Sequence, residues 1–209
     1  MKVKICGITK ATDLKFCIKN NVSFCGFILN YPKSHRYLSF LKAKKLLNIR
    51  KKETKFVGVL VNPDEEEISK FSKLNLDFFQ IYGNYDANFI SSIKRKYNIK
   101  IIITIQVKNK TDVQKYKKFN DVADIILWDS SGYEKSLSWN YNWMNLVSKK
   151  TIKMVAGNIN IKNVEKLANL ADIIDVSGSL ETNKVKDKFK IKKFLDKIKE
   201  INDKIKINN

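Results

Sequence analysis

Short, continuously apolar runs rich in β-branched residues recur along the chain, each followed by a longer polar stretch with helical spacing. The runs Val3–Cys6, Phe24–Leu29, Phe56–Val61, Phe78–Tyr82, Ile101–Ile105, Ile125–Asp129, Lys153–Ala156 and Ile173–Ser177 predict eight strands. Unbroken apolarity, rather than alternation, marks strands covered on both faces and therefore parallel. Between them the spacing predicts helices over Thr12–Asn20 (with a Thr cap), Leu41–Arg50 after Ser39, and Pro63–Leu74 after an Asn62 cap. Asp86–Tyr97, Thr111–Phe119, Asn142–Ser148, Ile161–Leu170 and Ile191–Ile205 complete the set, with the tail beyond Ile205 expected to fray. Eight strand–helix units with no break in composition predict one α/β domain over residues 1–209, a (β/α)8 TIM barrel of eight parallel strands ringed by helices. The competing open sheet loses its strongest cue, because no strand is followed by G-x-G-x-x-G.

Polar and glycine positions gather just past the strand ends: Cys6-Gly7, Tyr82-Gly83, Asp129-Ser-Ser-Gly132, Gly157-Asn158 and Ser177-Gly178. In a barrel all of these share the catalytic face. A thiol ending strand one and a carboxyl ending strand six, facing each other across the mouth, suit a base and an acid acting on one small substrate. Trp128 beside Asp129 is expected to raise that carboxyl's pKa. Taken alone, Cys6 reads as a small buried hydrophobe and Asp129 as a turn cap; their shared rim tips the reading. Gly157-Asn158 and Ser177-Gly178 follow strands seven and eight, where barrels commonly hold a phosphate on backbone N–H groups. Arg36, in the loop after strand two, suits a bidentate grip on a carboxylate, with Lys33 as the weaker choice. His35 reads as a surface residue of the same loop.

Composition narrows the classes. No apolar run approaches the ~20 residues needed to span a bilayer, and the N-terminus enters a strand directly, so a soluble cytoplasmic protein is expected. Three cysteines and one histidine lack metal-ligand spacing, so no metal site is expected. The net charge of +20 raises the possibility of a polyanion binder. Yet all but Arg36, Arg50 and Arg95 of the 41 basic residues are lysines, spread over every segment, and no nucleic-acid motif is present. A solvated lysine surface that steers phosphorylated or carboxylated small molecules fits better.

With these residues in view, the chain resembles the phosphoribosylanthranilate isomerases of tryptophan biosynthesis. The likeness rests on Lys4-Ile-Cys-Gly-Ile-Thr9, Gly26-Phe-Ile-Leu with Tyr31-Pro-Lys-Ser-His-Arg36, Val57-Gly-Val-Leu-Val-Asn62 and Gln80-Ile-Tyr-Gly83. It continues through Asp129, Ala156-Gly-Asn-Ile-Asn160, Asn163-Val164, Asp175-Val-Ser-Gly-Ser-Leu-Glu181 and Lys186-Asp187. The resemblance implies a TIM barrel without cofactor, acting as a monomer on a phosphorylated small molecule and on neither nucleic acid nor membrane. It implies an Amadori rearrangement with Cys6 as base and Asp129 as acid. It further implies Arg36, Gln80, Tyr82 and Asp175 at the substrate, and Gly157, Asn158, Ser177 and Gly178 at the phosphate. Departures mark a divergent member: Tyr82 stands for the usual histidine, Asn158 for the second glycine, and Ser177-Gly-Ser179 for Ser-Ser-Gly. The loop after strand six keeps one glycine, with Lys135 or Ser136 expected to replace its backbone contacts. An aminoimidazole isomerase of the same barrel class is the nearer rival, but such sites resemble a pair of aspartates, so a cysteine base argues against it.

Overall fold

Parallel pairing runs unbroken around the centre of the molecule. In the computed structural model, which describes residues 1–130 and 137–207, eight strands close a barrel in chain order. They are β1 (Lys2–Ile5), β2 (Phe24–Ile28), β3 (Lys55–Val61), β4 (Phe78–Tyr82), β5 (Lys100–Val107), β6 (Ile125–Ser130), β7 (Lys153–Val155) and β8 (Ile173–Val176). The seam joins the two ends of the sheet, with Lys4 of β1 opposite Asp175 of β8. The barrel expected from the alternation of runs is the one observed.

Side chains alternate between two cores, as a pleated strand requires. Outward residues such as Ile5, Phe27, Leu60, Ile103 and Trp128 pack under the surrounding helices. Inward residues Phe24, Val57, Phe78, Ile102, Leu127 and Met154 fill the barrel floor.

Helices α1 (Ala11–Lys19), α2 (Phe40–Leu47), α3 (Glu65–Phe71), α4 (Ala87–Tyr97) and α5 (Lys188–Ile207) occupy the expected segments with shifted ends. The cap of α3 is Asp64, whose carboxylate accepts from Glu67 N at 2.8 Å; Asn62 instead takes a left-handed φ of 45°. Thr12 lies inside α1 and caps nothing, because the helix begins at Ala11. Three segments expected as α-helices are 3-10 turns: Asp112–Phe119, Tyr141–Leu146 and Val164–Leu167. Each is entered through asparagine or aspartate side chains that bind nearby backbone N–H groups. Asn109 Oδ1 takes Asp112 N, Asn140 Oδ1 takes Asn142 N, and Asn163 Oδ1 takes Asn160 N. Such bonds compete with the helical ladder and favour tight turns. A short hairpin, β9 (Glu181–Thr182) and β10 (Val185–Lys186), precedes α5 and folds over the rim.

Candidate active site

The strand ends open into one cavity of about 460 Å³, lined by Cys6, Arg36, Tyr82, Asp129, Gly157, Asn158, Asp175, Ser177 and Gly178 among others. Nine of the ten site residues named from the sequence line this cavity. Gln80 is the exception. It lies two residues below Tyr82 on β4, is fully buried, and does not line the cavity.

Cys6 is fixed by the barrel seam. Its N–H donates to Val176 O at 2.8 Å, and its carbonyl accepts from the Ser177 hydroxyl at 2.9 Å. The turn that follows needs glycine: Gly7 has φ +76°, and a Cβ there would lie 2.2 Å from Arg36 Cδ. Burial pushes the Cys6 thiol above its ordinary pKa, and the Lys4 ammonium pulls it back most strongly.

Asp129 ends β6 and points into the mouth. Its Oδ2 accepts from the Tyr82 hydroxyl at 2.8 Å, and its Oδ1 from Ser130 N at 2.7 Å. Burial raises its pKa to about 6, against the pull of the Tyr82 hydrogen bond. The direction expected from sequence holds, but the cause differs. Trp128 faces outward, with its indole N–H on Val113 O at 3.0 Å and its ring against Tyr116. Neighbours on a strand point to opposite faces, so Trp128 does not touch the carboxyl's surroundings.

Arg36 is held rather than free. Glu181 accepts from its Nε at 2.7 Å and its Nη2 at 2.8 Å, a bidentate pair on a side chain that also lines the cavity. Lys186 reaches the same carboxylate at 2.6 Å, and His35 Nε2 lies 3.2 Å from its other oxygen. Arg36 and Lys186 hold Glu181 at about 2 despite burial. Lys33 is exposed and lies outside the cavity lining.

At the opposite wall, Gly157 (φ +99°) and Asn158 (φ +50°) turn the backbone through left-handed space. A side chain at Gly157 would strike the Trp139 indole, whose N–H donates to Ala156 O at 2.9 Å. Asn158 Nδ2 donates to Ser138 Oγ at 2.9 Å, and a 3-10 turn starts at Gly178. These backbone arrangements suit an anion. Lys135 and Ser136, the expected replacements in the loop after β6, lie outside the described residues.

Sequence reading missed Lys4, Glu181 and Lys186 as members of the site. Lys4 carried a signal: it shares an inward strand face with Cys6, two residues away. Glu181 and Lys186 carried none besides their place in the resemblance, since both reach Arg36 or its partner only through the folded hairpin.

A single (β/α)8 barrel with an acid, a thiol and an anion-suited backbone at the carboxyl ends of its strands has the layout of a barrel enzyme. Comparison with known proteins narrows the class. A sequence model of the family described as N-(5'-phosphoribosyl)anthranilate (PRA) isomerase matches residues 3–197, and the chain belongs to that family. It is 32% identical over 210 residues to the N-(5'-phosphoribosyl)anthranilate isomerase of Clostridium acetobutylicum, covering 95% of this chain and 98% of the relative. The enzyme of that name from Bacillus mycoides is 33% identical over 211 residues, covering 96% and 98%. Among solved structures, phosphoribosyl anthranilate isomerase from Thermotoga maritima superposes with a TM-score of 0.84 at 27% identity, covering 96% and 99%. A phosphoribosyl anthranilate isomerase in complex with reduced 1-(o-carboxyphenylamino)-1-deoxyribulose 5-phosphate superposes at 0.81 with 26% identity, covering 96% and 99%. No helix among the described residues is long and apolar enough to cross a membrane.

Proposed function

We propose that this chain converts N-(5'-phosphoribosyl)anthranilate to 1-(2-carboxyphenylamino)-1-deoxyribulose 5-phosphate by an Amadori rearrangement in tryptophan biosynthesis. The observation that carries the reading is the opening of Cys6 and Asp129 into one cavity, within a family named for that reaction. Asp129 protonates the ribose ring oxygen, and the ring opens to a Schiff base. Cys6, as thiolate, removes the C2' proton to give an enolamine, which tautomerises to the ketone. The proton taken by sulfur and the proton given by the carboxyl leave the substrate's composition unchanged. Tyr82 aims the Asp129 carboxyl through its 2.8 Å hydrogen bond. Arg36 receives the anthranilate carboxylate while Glu181 holds its guanidinium. Asp175 borders the same pocket, and the backbone of Gly157, Asn158, Ser177 and Gly178 cradles the phosphate.

The fluorescence of phosphoribosylanthranilate gives a direct assay of its consumption. Cys6→Ser and Asp129→Asn are each expected to lower kcat/KM by about 10²–10⁴ while far-UV circular dichroism stays unchanged. A parent protein without turnover, or a Cys6→Ala variant at parental rate, rejects the reading. A monomer belongs to the same proposal, although a Thermotoga maritima relative is described as dimeric, and sedimentation equilibrium distinguishes the two.

A further inference from the structure

The apolar floor of the barrel takes residues from every strand except β1. There the inward position is Lys4, with 0% of its surface exposed. Taking an ammonium out of water costs several kcal/mol, and a buried ion pair is often no more stabilising than apolar residues of the same volume. Asp175 Oδ2, at 2.7 Å, compensates the charge without explaining why it is there. The explanation lies two residues further along the same strand face. The Lys4 ammonium borders the same space beside Gly26 as the Cys6 sulfur, within about 6 Å of it. Gly26 of the adjoining strand keeps the space between them open, since a Cβ there would stand 2.9 Å from Cys6 Sγ and 3.2 Å from Lys4 Nζ.

We propose that Lys4 is a positioning residue for the base: its buried ammonium, anchored across the seam by Asp175, places a fixed positive charge beside the Cys6 sulfur and stabilises it as thiolate. The role rests on the isomerase reading. It answers a local problem, because the base works beside Asp175 and a substrate that is itself anionic. Other charged or titratable groups also face the sulfur: Lys186 of β10, Arg36 of the loop after β2, Tyr82 of β4 and Cys25 of β2. Among these cations Lys4 lowers the thiol's pKa more strongly than Lys186.

The test is the pH dependence of Cys6 alkylation by iodoacetamide in the substrate-free protein, read site by site by mass spectrometry. Cys17 and Cys25 are buried and serve as internal controls. Lys4→Met keeps volume and removes charge; its half-point for alkylation is expected to rise by about one pH unit or more, about tenfold in rate at a fixed pH below it. The alkaline limb of kcat/KM should move upward with it. A purely structural lysine would lower the melting temperature and leave the half-point where it was. Gly26→Ala, which keeps both charges and places a methyl group between sulfur and ammonium, should raise the half-point as well. An unmoved half-point in a cooperatively melting Lys4→Met protein overturns the inference. If that variant does not fold, an unmoved half-point in Gly26→Ala does the same. Because alkylation needs no substrate, an inactive parent would reject the isomerase reading separately, and an active parent with unmoved half-points would reject only the role of Lys4.

Discussion

A carboxyl held at about 6 and a thiol held above its ordinary range carry, near neutrality, the opposite protons from those the proposed rearrangement uses. The working pair, neutral Asp129 with thiolate Cys6, is the minor arrangement of a singly protonated pair. The sign of the pH profile follows. Below about 6 both groups hold protons, and above the thiol's value neither does. The kcat/KM of the free enzyme should therefore rise through about 6, stay level, and fall on the alkaline side. Tyr82→Phe removes the hydrogen bond that pulls the Asp129 pKa down, so the acid limb should move upward, by about one unit, in a pH–rate series. An unmoved limb would mean that Tyr82 does not act on the carboxyl. At this scale the sequence was partly legible. The places of Cys6 and Asp129 at strand ends announced that both would line one cavity, whereas the source of the raised carboxyl was misread, because Trp128 lies on the other face.

Elements differed in how much they disclosed. Strands such as Ile125–Ser130 came within a residue of their observed ends, since an apolar run buried on both faces leaves little choice. The 3-10 turns were read as α-helices because apolar spacing records which side is covered and not how tightly the backbone winds. Asn109, Asn140 and Asn163 decide the winding through bonds of their own. The Arg36–Glu181 clamp joins residues 145 apart in the chain, a contact no local pattern encodes. Its dependence on the turn after β1 gives a prediction at this scale. Gly7→Ala forces a side chain into left-handed space and onto the Arg36 stem, so the guanidinium should shift. Steady-state kinetics should then show a KM for phosphoribosylanthranilate raised about tenfold or more, with a smaller change in kcat, and a melting temperature lowered through a cost of about 1–3 kcal/mol. A normal KM would detach Arg36 from substrate binding.

Over the whole molecule, a formal charge of +20 surrounds a pocket proposed for a substrate bearing both phosphate and carboxylate. Such a field raises encounter rates and is screened within about 8–10 Å at physiological salt. Raising sodium chloride from about 0.02 to 0.5 M should therefore depress kcat/KM several-fold while changing kcat little, measured at constant pH. An indifferent kcat/KM would make the lysine surface irrelevant to capture. The barrel itself was the most legible feature, because eight repeats of one pattern leave few ways to enclose their apolar faces.

The seam has a temporal consequence. Lys4 leaves the ribosome 171 residues ahead of the carboxylate it pairs with. Until β8 and the β9–β10 hairpin have folded, a nascent chain carries its sulfur without the anchored ammonium and without the Glu181 carboxylate that holds Arg36. The thiol thus gains its charged surroundings only when the eighth barrel strand closes the ring.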